Sequence, residues 1–277
     1  MLKQRIITAV ILAAAFFGAL FGLSTRHFAW VMLLALMVAA YEWAQLSGFR
    51  RVGTLVFCAS VFATGFVLLQ RASTPGGVFF LEPLLLFCGL ASLFWIFIAP
   101  MWLRNQWATR NAPVMAVLGF VLTVALWMAM VELHSFSPWL TLGTMFIVSL
   151  ADIAAYFSGR KFGKRKLAPV ISPNKTWEGV YGALVCVALY AVLVVTLSSL
   201  SSYSIGARVA LVVIAVGLGG ISVVGDLFES VMKRQAGVKD SGHTLPGHGG
   251  ILDRIDAQFP VLPIAALVAV AFTSLVS

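Results

Sequence analysis

Along the chain, long apolar runs alternate with short polar connectors. Nine apolar segments can be marked, at roughly 6–23, 28–46, 52–70, 78–99, 112–133, 139–158, 177–200, 206–225 and 258–276. Most approach the ~20 residues an α-helix needs to cross the hydrocarbon core of a bilayer. The runs are continuous, without the in–out alternation of a membrane β-barrel. The pattern predicts an all-α polytopic membrane protein with about nine transmembrane helices. The first run follows Lys3 and Arg5 in the manner of a signal peptide. It exceeds the ~7–15 apolar residues of a signal core and further spans follow, so an uncleaved first span is expected.

The connectors divide the chain in two. Within residues 1–140 they are short, with turns at Thr74-Pro75-Gly76-Gly77 and Ser137-Pro138, and this part reads as transmembrane scaffold. Residues 141–277 carry two long connectors, from about Gly159 to Thr176 and from about Asp226 to Gln258, dense in Gly, Lys, Ser, Pro and Asp. This part reads as the catalytic region.

Composition excludes a soluble domain. The chain is 61% hydrophobic and 10% charged, against about 45–50% and about 25% for soluble globular domains. The net charge of +9 is not a nucleic-acid footprint, because no basic arm or aromatic-interleaved patch exists. With the N-terminus in the cytoplasm and nine spans alternating, sixteen Lys and Arg fall inside and three (Arg26, Arg71 and Arg208) outside. That asymmetry predicts N-in, C-out and puts both long connectors on one cytoplasmic face. Basic loops there suit anionic headgroups or phosphate-bearing substrates. Cys58, Cys88 and Cys186 lie in apolar segments with no CxxC, so neither a disulfide framework nor a zinc site is expected.

Candidate chemistry concentrates in the connectors. Glu42 reads as an interfacial anchor, Glu82 as an outward-reaching side chain after a turn, and Glu132 and His134 as outer-end residues without chemistry. Asp152 lies about two turns before the inner end of the sixth span, and the first connector brings Gly159, Gly163, Lys164, Lys166, Ser172, Asn174, Lys175 and Thr176. Backbone amides with lysines make a cradle for a polyphosphate, although no Walker A spacing is present. Thr176 also reads as an N-cap, with Glu178 in the first helical turn. In the second connector Asp226 and Glu229 are three apart, and so are Asp253 and Asp256, after Gly247-His248-Gly249-Gly250. Carboxylate pairs on facing segments suit a hard cation, Mg²⁺ above all. The competing reading is a set of salt bridges tying the loop down. His243 and His248 read as loop hydrogen-bonders, and Lys233, Arg234 and Lys239 can neutralise phosphates.

The second connector resembles the signature of the phosphatidate cytidylyltransferase (CDP-diacylglycerol synthase) family. It does so from Ser230 through Lys233-Arg234, Lys239-Asp240, Gly242, Leu245-Pro246 and His248-Gly249-Gly250 to Asp253-Arg254-Ile255-Asp256. The stretch from Ala151 to Gly179 is similar to the bacterial members. The resemblance implies transfer from CTP to phosphatidate, giving CDP-diacylglycerol and pyrophosphate. It implies a metal centre of Mg²⁺, with K⁺ beside it, between Asp226 and Asp253, near which Asp256 is a further candidate ligand; a polar funnel open to the cytoplasm; a homodimer; and a bacterial cytoplasmic (inner) membrane. Lys239 and Asp240 join the three aspartates as candidate catalytic residues. Asp152, Lys164, Lys166, Ser172, Asn174, Lys175, Thr176, Lys233, Arg234, His248 and Arg254 are candidates for substrate binding. The rival readings are another lipid-phosphate enzyme using CTP, such as a polyprenol kinase, and an ion-coupled transporter, against which the acids cluster at one face rather than along a route through the membrane.

Overall fold

A computed structural model describes residues 2–71, 79–108, 111–245, 247 and 249–276. The Thr74–Gly77 turn, Arg110 and His248 lie outside the described residues. The helices are α1 (Leu2–Gly22), α2 (Thr25–Leu46), α3 (Arg51–Arg71), α4 (Leu81–Leu93), α5 (Ala99–Asn105), α6 (Ala112–Phe136), α7 (Pro138–Phe162), α8 (Trp177–Leu197), α9 (Ile205–Ala236), α10 (Leu252–Ile255) and α11 (Gln258–Val276). A π-helical stretch, Phe94–Ile98, joins α4 to α5. It sits just before Pro100, which brings no N–H to the helical ladder. Among the described residues seven helices, counting α4 to α5 as one, are long and apolar enough to cross a membrane, and Ile6–Gly22 and Gln258–Ser274 are shorter apolar helices. The chain is a multi-pass helical membrane protein.

Helix α6 is the hub of the first half and touches α2, α3, α4, α7 and α11. Its Trp127 indole donates to the Ala29 carbonyl at 2.9 Å, and Trp43 on α2 donates to the Met115 carbonyl at 3.0 Å. A buried indole N–H needs such an acceptor, so each bond also fixes how the helices sit against one another. Helices α7, α8 and α9 form a second group, and α11 packs against α4, α6, α7 and α9, joining the two. Glu132 is buried at the end of α6, where it accepts the Phe79 and Phe80 amides at 3.0 and 3.3 Å. An acceptor is needed there because the amides leading into α4 have no partner within that helix. His134 donates from Nε2 to the Leu20 carbonyl at 2.9 Å and stacks on Phe28. Both side chains act as structural ties.

Two connectors differ from expectation. The first folds into a hairpin, β1 (Lys166–Ala168) and β2 (Ser172–Thr176), with Lys166 opposite Thr176 and Ala168 opposite Ser172. The second does not begin at Asp226, because α9 continues to Ala236. Leu227, Phe228, Val231 and Met232 keep one face of that extension buried, so helical packing outlasts the membrane-like composition. The two connectors meet: Arg234 Nε donates to the Ile171 carbonyl at 3.5 Å.

Candidate active site

The extension of α9 displays Asp226, Glu229, Ser230 and Lys233 at helical three- and four-residue spacings, so they line neighbouring strips of one surface. Lys175 reaches from β2 to form an ion pair with Asp226. Asp152, on α7, is near enough to feel the charges of Asp226 and Lys175. Asp256, between α10 and α11, faces Asp226 and Glu229. Asp226 and Asp152 thus gather at Lys175, and Asp256 stands beside Asp226. Gly225 permits the approach: a side-chain carbon there would stand 2.6 Å from the Asp256 carbonyl oxygen and 2.8 Å from the Pro260 ring.

A second ion-pair group lies beside the first. Lys233 contacts Glu229 at 2.5 Å and Asp253 at 2.7 Å. The other Asp253 oxygen accepts from the Ser241 amide at 2.9 Å, the Ser241 hydroxyl at 3.0 Å and the Gly250 amide at 2.9 Å. Burial works to raise the Asp253 carboxyl, but Lys233 and the two amides outweigh it and hold the group at about 2. Asp256 goes the other way: burial, and then the neighbouring Asp226 charge, push it above the ordinary carboxylate range. Opposed environments around two carboxylates three residues apart are characteristic of working sites.

The hairpin is tied down by its own polar residues. Thr176 caps α8, accepting the Gly179 amide at 3.2 Å, as its position before the helix leads one to expect. Glu178 accepts the Lys164 and Arg165 amides at 3.1 and 3.2 Å. A Thr176→Ala variant is expected to lose about 1 kcal/mol of stability, read as a lower Tm in detergent. A wild-type Tm would show that the cap is dispensable.

Lys175, Asp226, Asp152 and Asp256 come together, as do Lys233 and Asp253. Lys164 is exposed on the approach to the hairpin and Lys166 on β1, Ser172 and Asn174 lie along β2, and Lys239, Asp240 and Arg254 are exposed around the loop that follows α9. His243 is exposed, and the Thr176 hydroxyl is engaged in capping. Among the described residues no group of three acidic, histidine or cysteine side chains stands close enough to hold a metal ion. One residue was misread from sequence. Glu42 is not an interfacial anchor: it is 1% exposed and binds the loop between α9 and α10. Its only advance signal was a carboxylate inside an apolar span.

Fold and site define a polytopic helical membrane protein with lysine–carboxylate pairs gathered where its two long connectors meet. The chain belongs to the cytidylyltransferase family, whose model matches residues 3–272. It is 38% identical over 277 residues to the phosphatidate cytidylyltransferase of Pseudomonas aeruginosa, covering 96% of both chains. It is 35% identical over 281 residues to that of Haemophilus influenzae, covering 95% of this chain and 96% of the other. A stretch of 118 residues, 43% of this chain and 44% of the relative, is 47% identical to the phosphatidate cytidylyltransferase of Staphylococcus saprophyticus.

Proposed function

We propose that the chain converts CTP and phosphatidate to CDP-diacylglycerol and pyrophosphate. The observation that carries this reading is the meeting of Lys175–Asp226 and Lys233–Asp253 at one end of an apolar bundle, in a chain whose length matches proteins of that name. A phosphate oxygen of phosphatidate bonds to the α-phosphorus of CTP, the bond from that phosphorus to the β-phosphate oxygen breaks, and pyrophosphate leaves with the electron pair. The nucleophile needs no strong base, because a phosphomonoester loses its second proton near ~6. The protein's task is to align two anionic reactants and offset their repulsion. Lys175, with Lys164 and Lys166 on the approach, supplies charge for the nucleotide phosphates. Lys233 stands ready beside Asp253. The apolar helices keep the acyl chains in the bilayer while the headgroup meets the loops.

Mg²⁺ fits the donor chemistry in part. Asp226 and Asp256 are oxygen donors that feel each other's charge, and they would hold the ion, with Asp152 nearby. Asp253 suits it less, since Lys233 and three loop donors crowd its oxygens, whereas Asp226 meets only Lys175 and, at 3.4 Å, the Ser230 hydroxyl among the described contacts. When bound, the ion would stabilise charge on phosphate oxygens. The Lys and Arg distribution supports an N-terminus and a site on the cytoplasmic side, and the bacterial relatives support an inner membrane.

The test is purified protein in detergent with radiolabelled CTP, Mg²⁺ and phosphatidate. A labelled CDP-lipid is expected. No product, or product only with a polyprenyl phosphate, would overturn the assignment.

A further inference from the structure

Glu42 lies on α2, in the scaffold half, and its side chain ends in the loop that carries the catalytic candidates. Oε1 accepts from the Thr244 hydroxyl at 2.5 Å and the Ile251 amide at 3.1 Å. Oε2 accepts from the Ser241 hydroxyl at 3.0 Å and the Leu252 amide at 2.8 Å. One carboxylate therefore clasps the segment Ser241–Leu252 at its beginning and at its end. The loop is shaped around it. A side-chain carbon at Gly242 would stand 2.6 Å from Glu42 Oε1, and one at Gly250 would collide with both the Glu42 carboxylate and the Ser241 hydroxyl. Ser241 passes the constraint on, because its amide donates to Asp253 and its one hydroxyl proton is shared between Glu42 and Asp253, both at 3.0 Å, and Asp253 holds Lys233.

The choice of a carboxylate follows from counting donors. A carboxylate only accepts and can take two donors on each oxygen, whereas a glutamine offers one oxygen and turns an NH₂ toward the other two donors. Aspartate keeps the acceptors but retracts them by one methylene.

We propose that Glu42 is a positioning residue of the transferase site: it fixes the Ser241–Leu252 loop so that Asp253 and Lys233 stand where CTP is handled. This rests on the cytidylyltransferase reading above. Its consequence is that part of the site's machinery belongs to the N-terminal half, outside the signature.

The test compares wild type, Glu42→Gln and Glu42→Asp in detergent by three measurements: Tm, kcat and KM for CTP in the CDP-lipid assay, and backbone hydrogen exchange of peptides covering 241–253 and α6. A glutamine NH₂ can donate to the Ser241 or Thr244 hydroxyl but leaves the Ile251 or Leu252 amide unmet, which should cost Glu42→Gln roughly tenfold in kcat. Its KM for CTP should rise several-fold, and exchange should quicken in 241–253 but not in α6. Glu42→Asp should fall between. Wild-type kcat and KM in Glu42→Gln would overturn the proposal. So would a lower kcat with unchanged KM and unchanged loop exchange, which marks a lost active fraction rather than a misplaced loop. If Glu42→Gln does not fold, Thr244→Val removes one donor at the exposed rim: a raised KM with faster loop exchange supports the clasp, and wild-type behaviour in both overturns it. The exchange arm needs no turnover. A wild-type protein inactive on CTP and phosphatidate would refute the reaction, while loop exchange in the variants would still report on the clasp.

Discussion

Asp253→Asn is expected to lose at least about a hundredfold in turnover while remaining folded in detergent. Asp253 meets Lys233 on one oxygen and three loop donors on the other. A carboxamide has one acceptor for these two sets, so either Lys233 or the loop faces an NH₂. Lys233 would then keep only Glu229, itself 4% exposed. Breaking a buried ion pair costs about 3–5 kcal/mol, which corresponds to about 10²–10⁴ in rate if it falls on the reacting state. The helices do not depend on this contact, so size-exclusion behaviour should match wild type. Wild-type kcat would end the role given to Asp253. The same group predicts a pH effect on stability. Its carboxyl lies at about 2, below the ordinary 3.8. The stabilisation it brings is complete above the ordinary value and is lost as pH falls through about 2. In Asp253→Asn, that part of the acid-induced fall in Tm should be absent.

Lys175→Met is expected to raise the KM for CTP by about 10–100-fold, the equivalent of the ~1.5–3 kcal/mol of a hydrogen bond to a charged group. Lys175 is the cation paired with Asp226, and Asp152 and Asp256 also feel the Asp226 charge. Methionine keeps the stem and removes the charge. The surface then presents carboxylates to an incoming polyphosphate, which is repelled. CTP kinetics at saturating phosphatidate measure this, and an unchanged KM would remove Lys175 from nucleotide binding.

Much of the fold was legible because a bilayer demands long apolar runs, and the marked segments fall on the helices observed. Charge was a poorer guide to where helices stop. Asp226 marks the end of membrane-like composition, but Leu227, Phe228, Val231 and Met232 hold α9 in helical form for further turns. Asp226 and Asp253 were visible as charge in an apolar chain. Their partners were not, because an ion pair such as Lys175–Asp226 joins segments far apart in sequence. Glu42 was the least legible. Its neighbours Tyr41 and Trp43 suggest an interface, and nothing local announces donors some two hundred residues away. Thr176 was read correctly because a cap is a local event.

The Glu42 hydrogen bonds also bear on biogenesis. They link α2 to residues 199 to 210 positions later in the chain. During synthesis α2 is in the membrane long before Leu252 leaves the ribosome, so the carboxylate waits for partners that arrive almost last. Contacts of such long range form late, and this one closes only when nearly the whole chain is present. A C-terminal fragment would carry every residue of the signature and still lack the acceptor that orders its loop. Expressed together, separate N- and C-terminal halves would have to find each other within the bilayer before the loop could set.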